Sequence, residues 1–135
     1  MAYFADTWFL AALINKKDPE HSTAIALNRK MGTSRIVTSQ FVIIELFGFC
    51  CKLGEDVRIA CCKLVKGLNS LPNISVVPYS DQQYDEAIQL YEKVSNDKQW
   101  SLVDCASFLI MEKEKITVAV TGDKHFTERG FTRLT

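Results

Sequence analysis

The chain has 135 residues, 47% of them hydrophobic and 24% charged, which excludes a disordered or fibrous protein and suits one domain over 1–135 with one core. Sixteen basic residues balance sixteen acidic ones, so no bulk field steers the chain toward a polyanion, and RNA or DNA must meet a local patch. No apolar run is long enough to span a bilayer, and the first residues show neither a basic leader nor a small-residue cleavage site; the expectation is a cytoplasmic protein without a membrane partner.

Ala2 to Ala5 reads as a short strand that stops at Asp6-Thr7, after which Trp8, Leu10, Ala11, Ala12 and Leu13 begin a buried helix. Asp18-Pro19 is a helix-start pair, and Gly32 closes that helix. Ile36 to Thr38 can form a second strand. Ser39 to Leu53 follows as a helix apolar nearly all round, expected to be buried on most sides and stopped by Gly54. Glu55 to Leu71 carries Val57, Ile59, Ala60, Leu64, Val65 and Leu68 at helical spacing, and Pro72-Asn73 breaks it. Ile74 to Val77 is a third strand ended by Pro78.

Ser80 to Asn96 reads as an amphipathic helix with a Ser80–Gln83 capping box and a buried stripe of Tyr84, Ala87, Ile88, Tyr91 and Val94. Ser101 can cap the next helix, which places Asp104 at its third position and turns Leu102, Cys105, Phe108, Leu109 and Met111 to the core. Ile116 to Val120 is β-branched and continuously apolar, as a central parallel strand should be, and Phe131 to Leu134 can add an edge strand. Strands alternating with helices predict an α/β fold: a mostly parallel sheet of four to five short strands with helices on both faces. Five cysteines, Cys50, Cys51, Cys61, Cys62 and Cys105, lack the two-to-four-residue spacing of zinc pairs and are expected to be reduced and packed as small apolar groups.

Asp6, Glu45 and Asp104 are each the only charge in an apolar stretch, and Asp123 ends another. Desolvating an unpaired carboxylate costs several kcal/mol, and no local Lys, Arg or His is placed to offset these. In an open parallel sheet ligands bind beyond the carboxyl ends of the strands, where Asp6 and Asp123 sit and where Glu45 and Asp104 can join them. Four oxygen ligands suit Mg²⁺ or Mn²⁺, and such ions serve phosphate chemistry. Each acid also has a structural reading: Asp6 and Asp104 as helix caps, Asp123 as a turn residue, Glu45 as half of a buried ion pair. Thr7, Thr38 and Thr121 lie beside the acids and either orient them or are ordinary strand-end hydroxyls. His125, two positions after Asp123, either contacts phosphate or sits at the surface beside Phe126, the second being the expectation, and His21 reads as a solvated helix residue.

These pieces resemble the PIN-domain ribonucleases, specifically the VapC-type toxins of bacterial toxin–antitoxin pairs. The resemblance is carried by Phe4-Ala5-Asp6-Thr7, Ile44-Glu45-Leu46, the stretch from Asp97-Lys98 through Trp100-Ser101-Leu102 to Asp104-Cys105 and Ser107-Phe108, and Thr121-Gly122-Asp123-Lys124-His125-Phe126 with Gly130-Phe131. It covers nearly the whole length, and Ser39-Gln40 departs from the residues common before the glutamate. The resemblance implies that Asp6, Glu45, Asp104 and Asp123 are the catalytic, metal-binding set for Mg²⁺ or Mn²⁺ and that the chain hydrolyses RNA phosphodiesters. It also implies a small antitoxin protein as partner and a homodimer.

The competing expectation is a non-catalytic PIN-like binding module with a structural cation and a protein partner. A phosphoryl-accepting domain would likewise place acids at strand ends, but it calls for a paired Asp-x-Asp that this sequence lacks. An RNA substrate needs a basic rim, for which Lys16, Lys17, Arg35, Lys98 and Lys124 are the candidates.

Overall fold

The computed structural model describes all residues from Met1 to Thr135. In chain order the elements are β1 (Ala2–Ala5), α1 (Thr7–Ile14), α2 (His21–Met31), β2 (Arg35–Ser39), α3 (Gln40–Cys50), α4 (Glu55–Leu68), β3 (Ile74–Val77), α5 (Asp81–Glu92), α6 (Leu102–Glu114), β4 (Val118–Val120), α7 (His125–Glu128) and β5 (Thr132–Arg133). The strands form one sheet in the order β3-β2-β1-β4-β5, and every pairing is parallel. Consecutive residues of β1 point to opposite faces, yet Tyr3, Phe4 and Ala5 are all buried, so helices cover both sides. The chain steps from β1 to β2 to β3 in one direction and returns past β1 to β4. Crossovers of a single hand therefore put α1 to α4 on one face and α5 with α6 on the other.

That reversal of direction leaves a crevice beyond the carboxyl ends of the paired strands β1 and β4, and it decides where ligands can enter. The ladder carries on one step past β1, since the Asp6 backbone N–H donates to the Val120 carbonyl at 3.3 Å. Asp6 thus leaves the sheet beside Thr121, at the position where strand order reverses. Beneath this edge Phe4, Phe108 and Phe126 are fully buried, and Phe108 meets Phe126 edge-on at 5.1 Å between ring centres.

Several local expectations are corrected by the structure. α3 stops at Cys50, and Gly54, with φ of 96°, precedes α4 as its N-cap instead of ending the helix before it. α3 is not buried all along its length: Phe41, Val42, Ile43, Leu46 and Cys50 are buried, but Ile44, Phe47 and Phe49 are exposed. Asp18 accepts from the Glu20 backbone N–H at 2.8 Å and so closes a turn, while α2 begins at His21. His21 is partly buried, with Nδ1 at 2.7 Å from the Ala12 carbonyl, tying α2 to α1.

On α5 only Ala87 is buried, whereas Tyr84 and Tyr91 are exposed. A small residue at the contact lets α5 approach α6 closely, and bulky aromatics on either side splay outward. Ser80 accepts from the Gln83 backbone N–H at 3.1 Å, but Gln83 Oε1 has no partner, so the capping box is half formed. Cys50, Cys61 and Cys105 are packed in the core as expected, but Cys51 and Cys62 are exposed, since adjacent helical residues diverge. No helix is long and apolar enough to cross a membrane.

Candidate active site

A cleft of about 1030 Å³ lies over the carboxyl ends of β1 and β4, and Asp6, Glu45, Asp104 and Asp123 all line it. Four positions far apart in sequence are therefore gathered into one place. Each arrives from a different element, and each is held by a specific contact.

Asp6 follows β1 and is 5% exposed. Its side chain makes no cap bond to α1; instead Oδ2 accepts from the Thr121 hydroxyl at 2.8 Å. Burial is the main cause that lifts this carboxyl from 3.8 to about 7, opposed by the Thr121 bond and reinforced by the negative charges of Asp104 and Glu45. Glu45 projects from the middle of α3, where Oε1 accepts from the Thr7 hydroxyl at 2.5 Å. Its proton affinity is also raised by burial, with the charges of Asp104 and Asp123 adding to the shift. No Lys or Arg pairs with Glu45, which removes the buried ion-pair reading.

Asp104 occupies the third position of α6 and completes a capping box. Its backbone N–H donates to Ser101 Oγ at 3.1 Å, and its Oδ2 accepts from the Ser101 N–H at 2.9 Å. The capping role and the cleft position thus coexist in one residue. Burial raises the pKa of Asp104 too, with the Ser101 N–H and the His125 ring working in the opposite direction. Asp123 sits in the turn after β4: its N–H donates to Thr121 Oγ1 at 3.0 Å, and its Oδ1 accepts from the His125 N–H at 3.0 Å. Thr121 therefore joins two of the acids through one hydroxyl.

His125 is the residue that sequence reasoning misplaced. It is not a surface side chain: its Nδ1 lies 2.9 Å from Asp104 Oδ2 and 3.0 Å from Asp123 Oδ2, with 18% of the side chain exposed. Ligand atoms of Asp104, Asp123 and His125 lie within 4.8 Å of one another, a tighter group than the four acids taken together. The only signal in the sequence is the position, two residues after Asp123 and next to the apolar Phe126, since burial of one residue does not fix where its neighbour points.

The remaining expectations divide. Thr7 and Thr121 hold acids, but the Thr38 hydroxyl donates to the Ala5 carbonyl at 2.9 Å and supports β1 instead. Of the basic candidates, Lys124 lines the cleft. Lys16 and Lys17 border a different pocket, Lys98 pairs with Asp97, and Arg35, at the opposite end of the sheet, pairs with Glu114 at 3.6 Å. Trp8 and Phe49, not singled out for the site from sequence, also line the cleft.

The sheet order and the acidic cleft define a class. The chain belongs to the PIN domain family, whose profile matches residues 3–131. Among solved structures it is similar to the Mycobacterium tuberculosis toxin VapC20, described as cleaving the sarcin–ricin loop, at 25% identity and a TM-score of 0.83 over 96% of each chain. It is also similar to a chain of VapBC2 from Rickettsia felis, solved bound to a DNA fragment from its promoter, at 18% identity and a TM-score of 0.65 over 99% of this chain and 98% of that one. FitAcB from Neisseria gonorrhoeae matches at 14% identity and a TM-score of 0.65, over 98% of this chain and 96% of that one. No curated protein sequence matches the chain.

Proposed function

We propose that this chain is a metal-dependent endoribonuclease, the toxin of a toxin–antitoxin pair, with Asp6, Glu45, Asp104 and Asp123 as its metal-binding and catalytic acids. The observation that carries the reading is the convergence of four carboxylates, three of them with proton affinities raised by burial, in the cleft of a PIN-family sheet. With no Lys or Arg paired to any of them, the set is short of positive charge. Oxygen donors of this kind fit Mg²⁺ or Mn²⁺. A bound ion of this type supplies Lewis acidity to a phosphodiester and a more acidic water as nucleophile.

The chain's own groups set the geometry. Thr121 fixes Asp6, Thr7 fixes Glu45, and the Ser101 cap fixes Asp104, so each carboxylate is held before substrate arrives. Lys124 is placed in the cleft to meet a phosphate. RNA as the substrate is supported by the likeness to VapC20, and an antitoxin partner by the likeness to toxin–antitoxin complexes. A homodimer, a single domain and a cytoplasmic site of action belong to the same reading.

The test is cleavage of structured RNAs by the purified protein with Mn²⁺, with chelator, and as the Asp104→Asn variant. Loss of a ligating carboxylate should lower the rate by more than about 10²-fold, a few kcal/mol of transition-state stabilisation. Cleavage that continues unchanged in chelator would overturn the metal reading. Metal and RNA binding without turnover would favour the non-catalytic module instead.

A further inference from the structure

We propose that His125 is itself a ligand of the cation in this cleft, giving the site a nitrogen donor and with it a preference for Mn²⁺ or a similar transition-metal ion over Mg²⁺. The inference rests on the metal-dependent reading above and adds a fifth protein group to it.

The distances point to coordination. In an octahedral complex with metal–ligand bonds of about 2.1 Å, neighbouring ligand atoms are about 3.0 Å apart and opposite ones about 4.2 Å. His125 Nδ1 stands 2.9 Å from Asp104 Oδ2 and 3.0 Å from Asp123 Oδ2, and these ligand atoms lie within 4.8 Å of one another. The imidazole nitrogen therefore stands at the spacing of a neighbouring ligand to both carboxylate oxygens, and the three atoms together fit around one ion. The imidazole is also pre-placed. The His125 backbone N–H is bonded to Asp123 Oδ1 at 3.0 Å, and the next side chain, Phe126, is fully buried against Phe4 and Phe108. Little ordering is left for metal binding to impose.

Nitrogen changes what the site selects. Mg²⁺ favours oxygen donors, whereas imidazole is an ordinary ligand of first-row transition ions, so exchanging an oxygen for Nδ1 favours Mn²⁺ over Mg²⁺. The same two distances also describe a ring that only hydrogen-bonds to the carboxylates and orients them from outside the coordination sphere. The two arrangements differ in one respect: only the ligand shares spin density with a bound Mn²⁺.

Electron spin-echo spectroscopy of the full chain loaded with Mn²⁺ separates them. The chain contains two histidines, and the His21 Nδ1 is engaged at the Ala12 carbonyl. The expected result is a directly bound ¹⁴N coupling that converts to a ¹⁵N coupling when histidine alone is ¹⁵N-labelled. It should persist in His21→Gln and vanish in His125→Gln, whose Mn²⁺ affinity should fall about tenfold or more while Mg²⁺ affinity changes less. The isotope arm needs no substitution, so a variant that fails to fold does not decide the matter. Bound Mn²⁺ without a histidine coupling would overturn this proposal and leave the carboxylate site standing. Failure of the wild-type chain to bind Mn²⁺ at all would overturn both.

Discussion

Asp6→Asn should make the metal-free protein more stable at alkaline pH, although it removes a group assigned to the active site. An acid with a raised folded-state pKa binds its proton more tightly in the folded than in the unfolded chain. Stability is therefore fully present below the unfolded value and is lost as pH rises through the folded one. For Asp6 that window runs from 3.8 to about 7. At about 1.4 kcal/mol per pH unit, the ionised carboxylate costs the fold about 4 kcal/mol above the window, of which about 3 kcal/mol is lost between pH 5 and pH 8. Glu45 and Asp104 are shifted in the same direction and steepen the decline. An asparagine is neutral throughout, and its Oδ1 can still accept from Thr121. With an unfolding entropy of about 2 cal/mol/K per residue, the variant should escape about 10 °C of the fall in Tm that chelator-treated wild type shows between pH 5 and pH 8. Adding Mn²⁺ should then stabilise wild type more than the variant, because a ligand that binds only the folded state raises its stability. Thermal melts of both proteins at the two pH values, with chelator and with Mn²⁺, make the measurement. Equal pH slopes in chelator, or a variant less stable than wild type at pH 8, would refute burial as the dominant influence on Asp6.

Three other outcomes follow from local geometry. Ser101→Ala removes the hydroxyl that accepts from the Asp104 N–H and should cost about 1 kcal/mol, read as a drop of about 4 °C in Tm, with unchanged stability counting against the cap. Gly122→Ala would put a Cβ 2.4 Å from the Trp8 ring; denaturant titration should show a loss of about 1–3 kcal/mol together with altered tryptophan fluorescence, and a silent substitution would mean the indole is not seated as described. With a thiol reagent under native conditions, Cys51 and Cys62 should react quickly while Cys50, Cys61 and Cys105 wait for denaturant, and rapid reaction of all five would contradict the packing of α3 on α4.

The sheet was legible because its signals are local. Apolar runs end at Asp6, Ser39, Pro78 and Thr121, and all four of those boundaries lie within a residue or two of the observed strand ends. Exposure of helix faces was not legible in the same way. The composition of α3 would suit a helix surrounded by protein, but whether Ile44 and Phe49 are covered depends on what packs beside α3, and nothing in the fold covers those two side chains. Tyr84 and Tyr91 share a helical stripe with Ala87, yet the alanine makes the contact, since period alone does not say which members of a stripe come closest.

The acids were legible for a different reason: an isolated charge in an apolar stretch conflicts with the burial around it, and that conflict can be read without knowing the fold. What the sequence withheld was how structural and chemical roles combine. From sequence Asp104 reads as either a cap or a ligand, but one Oδ2 accepts from the Ser101 N–H and also meets His125, and an ionised carboxylate has about four acceptor positions to share. Asp123 likewise closes a turn and faces the cleft. Capping and turn bonds lock the rotamers of these side chains, so here the structural reading is a precondition of the chemical one. It follows that disturbing the scaffold, for instance at Ser101 or Thr121, should weaken cation binding without removing a single ligand. The burial that makes Asp6 costly in the metal-free fold is the same burial that strengthens its interaction with a cation.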